Sequence, residues 1–112
     1  MKLPHAHTAV APPAKVTEYL LSPTHPVGRY KARAFGKYGF DLDHARDLAA
    51  TLQGLAARGS ANLVASGVFG AKYVVKGVIV SPSGQTMAIL SVWIIPAGAR
   101  DPLLVTAYLD EK

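Results

Sequence analysis

Between Ser22 and Phe40 the chain reads SPTHPVGRYKARAFGKYGF, a histidine set among turn formers and followed by Arg29, Lys31, Arg33 and Lys37. Histidine changes charge near neutrality, so His25 is a candidate proton donor or acceptor; it is equally a candidate cap of the turn it sits in. Lysine offers a compact positive point and arginine a planar fork, both suited to anions such as phosphate. The spacing sorts these cations. In a helix expected from about Arg29 to Tyr38 and ended by Gly39, Arg29, Arg33 and Lys37 share one stripe at four-residue steps, while Lys31 falls on the side of Phe35 and Tyr38. The arginine stripe reads as flanking anion contacts or as a solvated face. Lys31, beside aromatics, reads as a cation held at a site or partner surface, or as a stem laid over apolar surface with its head in water.

The elements around this segment follow from periodicity. A loop from Ser22 to Gly28 feeds the basic helix, and a shorter helix over Lys15 to Leu21, announced by Pro12 and Pro13, precedes it. Asp41 or Asp43 is placed to cap a longer helix in which Leu42, Ala45, Leu48, Ala49, Leu52, Leu55 and Ala56 recur at three- and four-residue steps. Gly59 is expected to close it as a left-handed cap. Beyond Asn62 the pattern becomes that of strands: Asn62 to Val68, Tyr73 to Val80, Gln85 to Ile95 and Leu103 to Leu109, separated by turn residues. Short links imply antiparallel neighbours. The order predicts an α+β fold, with two or three N-terminal helices packed on a three- to four-stranded antiparallel sheet.

Period-two alternation puts Ser91 and Trp93 on one face of the third strand, and Thr106 and Tyr108 on one face of the fourth. If those faces coincide, hydroxyls from Ser91, Thr106 and Tyr108 surround the sole tryptophan; otherwise Trp93 and Tyr108 are core or rim aromatics and Thr106 a strand former. Tyr73 opens a strand whose other face carries Lys72 and Lys76.

With 112 residues, half of them hydrophobic, the chain is long enough to form one domain with its own core, residues 1–12 being expected as a flexible arm. There is no cysteine, which excludes disulfides and thiolate metal sites, and His5, His7, His25 and His44 lack convincing ligand spacing. No metal or other cofactor is implied. A formal net charge of +5 favours acidic partners, nucleic acid or an acidic protein, and the excess sits in the first third of the chain. Neither a signal-peptide core nor a bilayer-length apolar run is present, so the expectation is a cytoplasmic protein with no membrane partner. An exposed strand edge is compatible with a homodimer. The glycines make no phosphate-loop signature, since neither Gly36 and Gly39 nor Gly67 and Gly70 lead from a strand into a helix.

The combination of Tyr19-Leu20-Leu21-Ser22-Pro23, His25-Pro26-Val27-Gly28, Lys31-Ala32, Phe35, Tyr73-Val74-Val75, Gly84, Val92-Trp93-Ile94 and Leu104-Val105-Thr106-Ala107-Tyr108 resembles a family of small uncharacterised bacterial domains. The resemblance covers nearly the whole chain after Lys2. Similar segments occur as short stand-alone proteins and at the C-termini of filamentous-haemagglutinin-like and other polymorphic toxin proteins. In helix-then-meander order they are similar to the class that groups barnase, EndoU, the tRNase colicins and RelE, which cleave RNA without metal. The segment Phe69-Gly70-Ala71-Lys72 departs from the more polar, glutamine-bearing version expected there.

What the resemblance implies is a toxin-type module acting on RNA, neutralised by a cognate acidic antitoxin or immunity protein. Such cleavage needs a base for the 2′-hydroxyl, an acid for the leaving oxygen and fixed donors for the phosphoryl charge. The candidate catalytic residues are His25, Lys31 and Thr106. His25 would serve as acid or base; Lys31 would stabilise the phosphoryl charge or, if burial removes its own charge, take a proton. Arg29 and Arg33 would hold flanking phosphates, Thr106 and Tyr108 would orient them, and a base would stack on Trp93 or Tyr73. The alternative is a non-enzymatic module whose basic helix holds an acidic protein or nucleic acid.

Overall fold

The computed structural model describes residues 1–110. A short helical turn α1 (Pro13–Lys15) runs directly into a π-helical turn over Val16–Leu20, closed by the Leu21 amide on the Val16 carbonyl at 2.8 Å. Helix α2 spans Gly28–Gly36, and α3 spans Ala45–Arg58 behind a 3-10 turn at Leu42–His44. Four strands complete the chain: β1 (Ser60–Gly67), β2 (Gly70–Val80), β3 (Thr86–Pro96) and β4 (Leu103–Leu109). They form one antiparallel sheet in the order β1-β2-β3-β4, so β1 and β4 are its edges. The architecture is the expected α+β arrangement of helices followed by an antiparallel meander.

The periodic face of α3 does what its spacing predicts from Leu48 onward, whereas Leu42, expected on the same face, lies in the preceding turn and is exposed. Leu48, Leu52 and Leu55 are buried against Val75 and Ile79 of β2 and Met87, Ile89 and Trp93 of β3 in one core, which Phe35 and Phe40 join as an edge-to-face pair. The end of α3 differs from expectation. Gly59 has φ −75° and ψ 170°, extended rather than left-handed. Its smallness serves packing instead, because a Cβ there would stand 2.6 Å from Val75 Cγ1 and 2.8 Å from the carbonyl oxygens of Leu55 and Lys76. Nor does Asp41 cap the helix through its side chain; its carboxylate takes the His44 imidazole at 2.7 Å.

The first dozen residues, expected as a flexible arm, are packed onto the body. Leu3, Ala9 and Ala11 are buried in the core, and Val10 forms a parallel bridge with Leu103, exchanging bonds of 2.8 and 3.0 Å with Pro102 and Leu104. Thr8 reaches the Asp101 carboxylate at 2.7 Å and the Gln53 side chain accepts the Ala11 amide at 3.0 Å. Backbone pairing and small apolar side chains hold this segment, and neither leaves a periodic signature. No helix among the described residues is long and apolar enough to cross a membrane.

Candidate functional site

The turn that precedes α2 is built by two side chains that accept hydrogen bonds from backbone. Ser22 Oγ accepts the amides of Thr24 and His25 at 3.3 and 3.1 Å. His25 Nδ1 accepts the amides of Val27 and Gly28 at 3.0 and 2.9 Å, so the imidazole covers the exposed donors at the start of α2. Backbone amides only donate, and Nδ1 is therefore unprotonated here. The neutral ring then carries its proton on Nε2. Gly28 presses on the preceding helical turn: a Cβ would lie 1.9 Å from the Tyr19 carbonyl oxygen. The His-Pro-x-Gly sequence thus fixes where α2 begins and against what it rests.

Tyr19, which the sequence offers only as part of an apolar helical face, is the centre of the resulting cluster. The His25 ring meets it edge-on at 5.0 Å between centroids, Lys15 Nζ lies 5.3 Å from its ring centroid and Lys31 Nζ 5.9 Å. Its hydroxyl is 3.4 Å from Thr106 Oγ1, a long contact that leaves both groups free to turn toward a ligand. Lys31 also lies 5.4 Å from the Tyr108 ring. Its ammonium is thereby held between two electron-rich ring faces. Helix α2 lies beside the edge strand β4, and between them opens a shallow cleft of about 220 Å³ bordered by Tyr30, Lys31 and Tyr108. Tyr30 and Tyr108 are both exposed, so the cleft offers accessible aromatic surface beside a cation. No aspartate or glutamate borders the cleft among the described residues. Across the described chain no group of three or more His, Cys, Asp or Glu side chains assembles in metal-binding proximity.

A family described as a domain of unknown function (DUF6883) matches residues 2–111. The chain belongs to this family. No curated protein matches it. Among solved structures, the DUF6883 fold resembles a chain of a contact-dependent growth inhibition toxin–immunity protein complex from Klebsiella pneumoniae 342. The TM-score is 0.70 at 15% identity, and the match covers 96% of this chain and 98% of that one. At that identity the likeness is one of fold.

The DUF6883 fold gathers some of the expected site residues and separates others. His25, Lys31 and Thr106 surround Tyr19, and Tyr108 meets the same Lys31 ammonium. Arg29 and Arg33 lie elsewhere, along a groove of about 470 Å³ on another side of α2 that also includes Pro23, Asp41 and Asp43. Arg29 stacks on Tyr30 at 4.7 Å and donates to its hydroxyl at 2.8 Å. Trp93 and Tyr73 offer no stacking surface: Trp93 is fully buried, Tyr73 is 9% exposed, and the two are register partners on the inward face of the sheet. Trp93 Nε1 donates to Ser91 Oγ at 2.9 Å, and Ser91 Oγ donates to the Val75 carbonyl at 3.1 Å. Thr106 pairs with Val92 and Ala107 with Ser91, so Thr106 and Tyr108 face away from the Ser91–Trp93 side. The hydroxyl ring imagined around Trp93 does not form. Three contributors were missed from sequence: Tyr19, Lys15 and Tyr30. Helical spacing puts Lys15 and Tyr19 four residues apart on one face, a signal that was available.

Proposed function

We propose that this domain is a toxin-type module that cleaves RNA without metal at the Lys31 cleft. The observation that carries the reading is the Lys31 ammonium held between Tyr19 and Tyr108, with the Tyr19 hydroxyl 3.4 Å from Thr106 Oγ1, on a fold shared with a chain of a toxin–immunity complex. In such a reaction the 2′-hydroxyl oxygen attacks phosphorus as its proton passes to solvent water, the bond from phosphorus to the 5′-oxygen breaks and that oxygen takes a proton from solvent, and negative charge grows on the equatorial phosphoryl oxygens. Fixed donors aimed at that charge supply the largest share of rate enhancement. Lys31 provides the cation, Thr106 and Tyr19 provide hydroxyl donors, and His25 presents Nε2–H while its Nδ1 caps α2. His25 acts in this arrangement as a donor to the anion, because taking a second proton would sacrifice the cap at Nδ1. Tyr30 and Tyr108 offer flanking bases their ring faces, the part expected of Trp93 and Tyr73. Cations and hydroxyls where a metal site would need carboxylates support metal-independent chemistry.

The net charge of +5 suits an acidic immunity-type protein as the neutralising partner, seated over the basic surface of α2. Induction of the wild type in growing cells, beside Lys31→Ala and Thr106→Ala at equal soluble expression, tests the reading. Arrest with discrete RNA fragments that both substitutions remove is the expected outcome.

A second reading, a basic module that binds without cleaving, is favoured by the engagement of His25 Nδ1 in capping rather than proton transfer. It expects normal growth, intact RNA, and salt-sensitive retention of RNA or acidic protein that Arg29→Ala and Arg33→Ala weaken.

A further inference from the structure

We infer that the groove on the other side of α2 is a second nucleotide subsite, selective for guanine, in which Arg29 and Arg33 take a phosphate and Asp43 reads the base. This rests on the RNA reading above and adds a specificity determinant to it.

The groove, about 470 Å³, is larger than the Lys31 cleft and falls within the range of small-molecule sites. Its walls carry opposite charge. Arg29 and Arg33, one helical turn apart on α2, form one side; Asp41 and Asp43, in the segment leading into α3, form the other; Pro23 and Leu42 contribute apolar surface between them. No ion pair joins the two walls among the described residues. A bare anion would satisfy the arginines and be repelled by the aspartates, and an acidic peptide would meet the same conflict. A nucleotide resolves it, because it carries negative charge at one end, hydrogen-bond donors at the other and a flat apolar body between.

The two aspartates are not equivalent. Asp41 Oδ1 is taken by His44 Nδ1 at 2.7 Å, whereas neither oxygen of Asp43 accepts a side-chain hydrogen bond among the described residues. Asp43 is therefore the carboxylate with two oxygens to offer. Guanine presents N1–H and N2–H side by side, a pair that matches both oxygens at once. Uracil presents N3–H between two carbonyl oxygens, which a carboxylate repels, and cytosine and adenine present one amine beside a ring acceptor. Arg29, stacked on Tyr30, links this groove to the Lys31 cleft, since Tyr30 borders the cleft and Arg29 the groove. A strand with one phosphate at Lys31 can thus continue over that pair and lay a neighbouring nucleotide against Asp43.

Titrating the isotopically labelled full chain with 5′-GMP and, separately, 5′-UMP, followed by amide chemical shifts, tests this directly. GMP is expected to shift the amides of Ala32, Arg33 and Asp43 and to bind at least about fivefold more tightly than UMP, the discrimination of one bidentate base contact. Asp43→Asn should erase the preference with the circular dichroism spectrum unchanged, and Arg33→Ala should weaken both nucleotides alike. Lys31→Ala should leave GMP binding in place. Equal binding of GMP and UMP, shifts confined to other surfaces, or a preference that survives Asp43→Asn would overturn the subsite; RNA cleavage by the wild type would still stand. Selective GMP binding by a protein that leaves RNA intact would instead retain the groove as a nucleotide site and remove the cleavage reading.

Discussion

The inward face of β3 and the cleft beside β4 both bring polar groups next to aromatic rings, and they resolve that pairing in opposite ways. Around Trp93 the polar atoms form a closed chain, indole to Ser91 hydroxyl to Val75 carbonyl, with Trp93 and Ser91 wholly buried. Around Tyr19 the polar atoms are left open: Lys15 and Lys31 rest on ring faces, Thr106 makes one long contact, and His25 turns only one of its nitrogens inward. A satisfied network holds a core, whereas donors that are fixed in place but not satisfied can bind something else. The two regions should therefore respond to substitution in different currencies, stability for the first and activity for the second.

The sharpest contrast is between Trp93→Ala and Lys31→Ala. Emptying the tryptophan site should cost about 3–5 kcal/mol in urea unfolding. Removing Lys31 from the half-exposed cleft should change stability by less than about 0.5 kcal/mol. Comparable losses for both would break the distinction. Gly28→Ala comes next, because its methyl group must displace the Tyr19 backbone. A loss of about 1–3 kcal/mol is expected, together with reduced activity, since Tyr19 positions the cleft.

His25 sits on the boundary between the two behaviours, and two substitutions separate its roles. His25→Ala removes the cap and should cost about 0.5–2 kcal/mol, while His25→Asn, whose side-chain oxygen can accept the same amides, should restore most of that stability. Activity that returns with stability in the asparagine variant would reduce His25 to a cap. Activity that stays lost would assign a role to Nε2–H.

The smallest effect belongs to the exposed Asp41–His44 pair at the groove rim. Its hydrogen bond lowers the Asp41 pKa and raises that of His44. The contribution of His44 is whole below the ordinary histidine range and disappears as pH rises through its raised value; that of Asp41 is whole above the ordinary carboxylate range and disappears as pH falls through its lowered value. A slight loss of Tm in Asp41→Asn should therefore be largest at mildly acidic pH, shrink under alkaline conditions as His44 loses its charge, and vanish under strongly acidic ones. A loss independent of pH would point to a cause other than the pair.

Much of this organisation was legible in the residues, for identifiable reasons. Leu48, Leu52 and Leu55 declare a buried helical face, and the alternation of Tyr73, Val75 and Ile79 declares a strand with one face in the core. Helical spacing also separated Lys31 from Arg29 and Arg33, and the two sets do line different depressions. What alternation could not supply was the pairing of β3 with β4. Period two says which residues of each strand share a face, but only the register sets Thr106 opposite Val92 rather than beside Trp93. The role of Tyr19 was hidden for a similar reason, because Lys15, His25, Lys31 and Thr106 converge on it from four places in the chain. The packed N-terminal segment depends on one bridge and scattered small residues, which carry no period at all.

The most direct test of the central claim is incubation of purified wild type and Lys31→Ala with RNA in the presence of a metal chelator. The account predicts discrete fragments ending in 2′,3′-cyclic phosphate from the wild type and none from a folded Lys31→Ala protein. Intact RNA with the wild type, or equal cleavage by both, would contradict it.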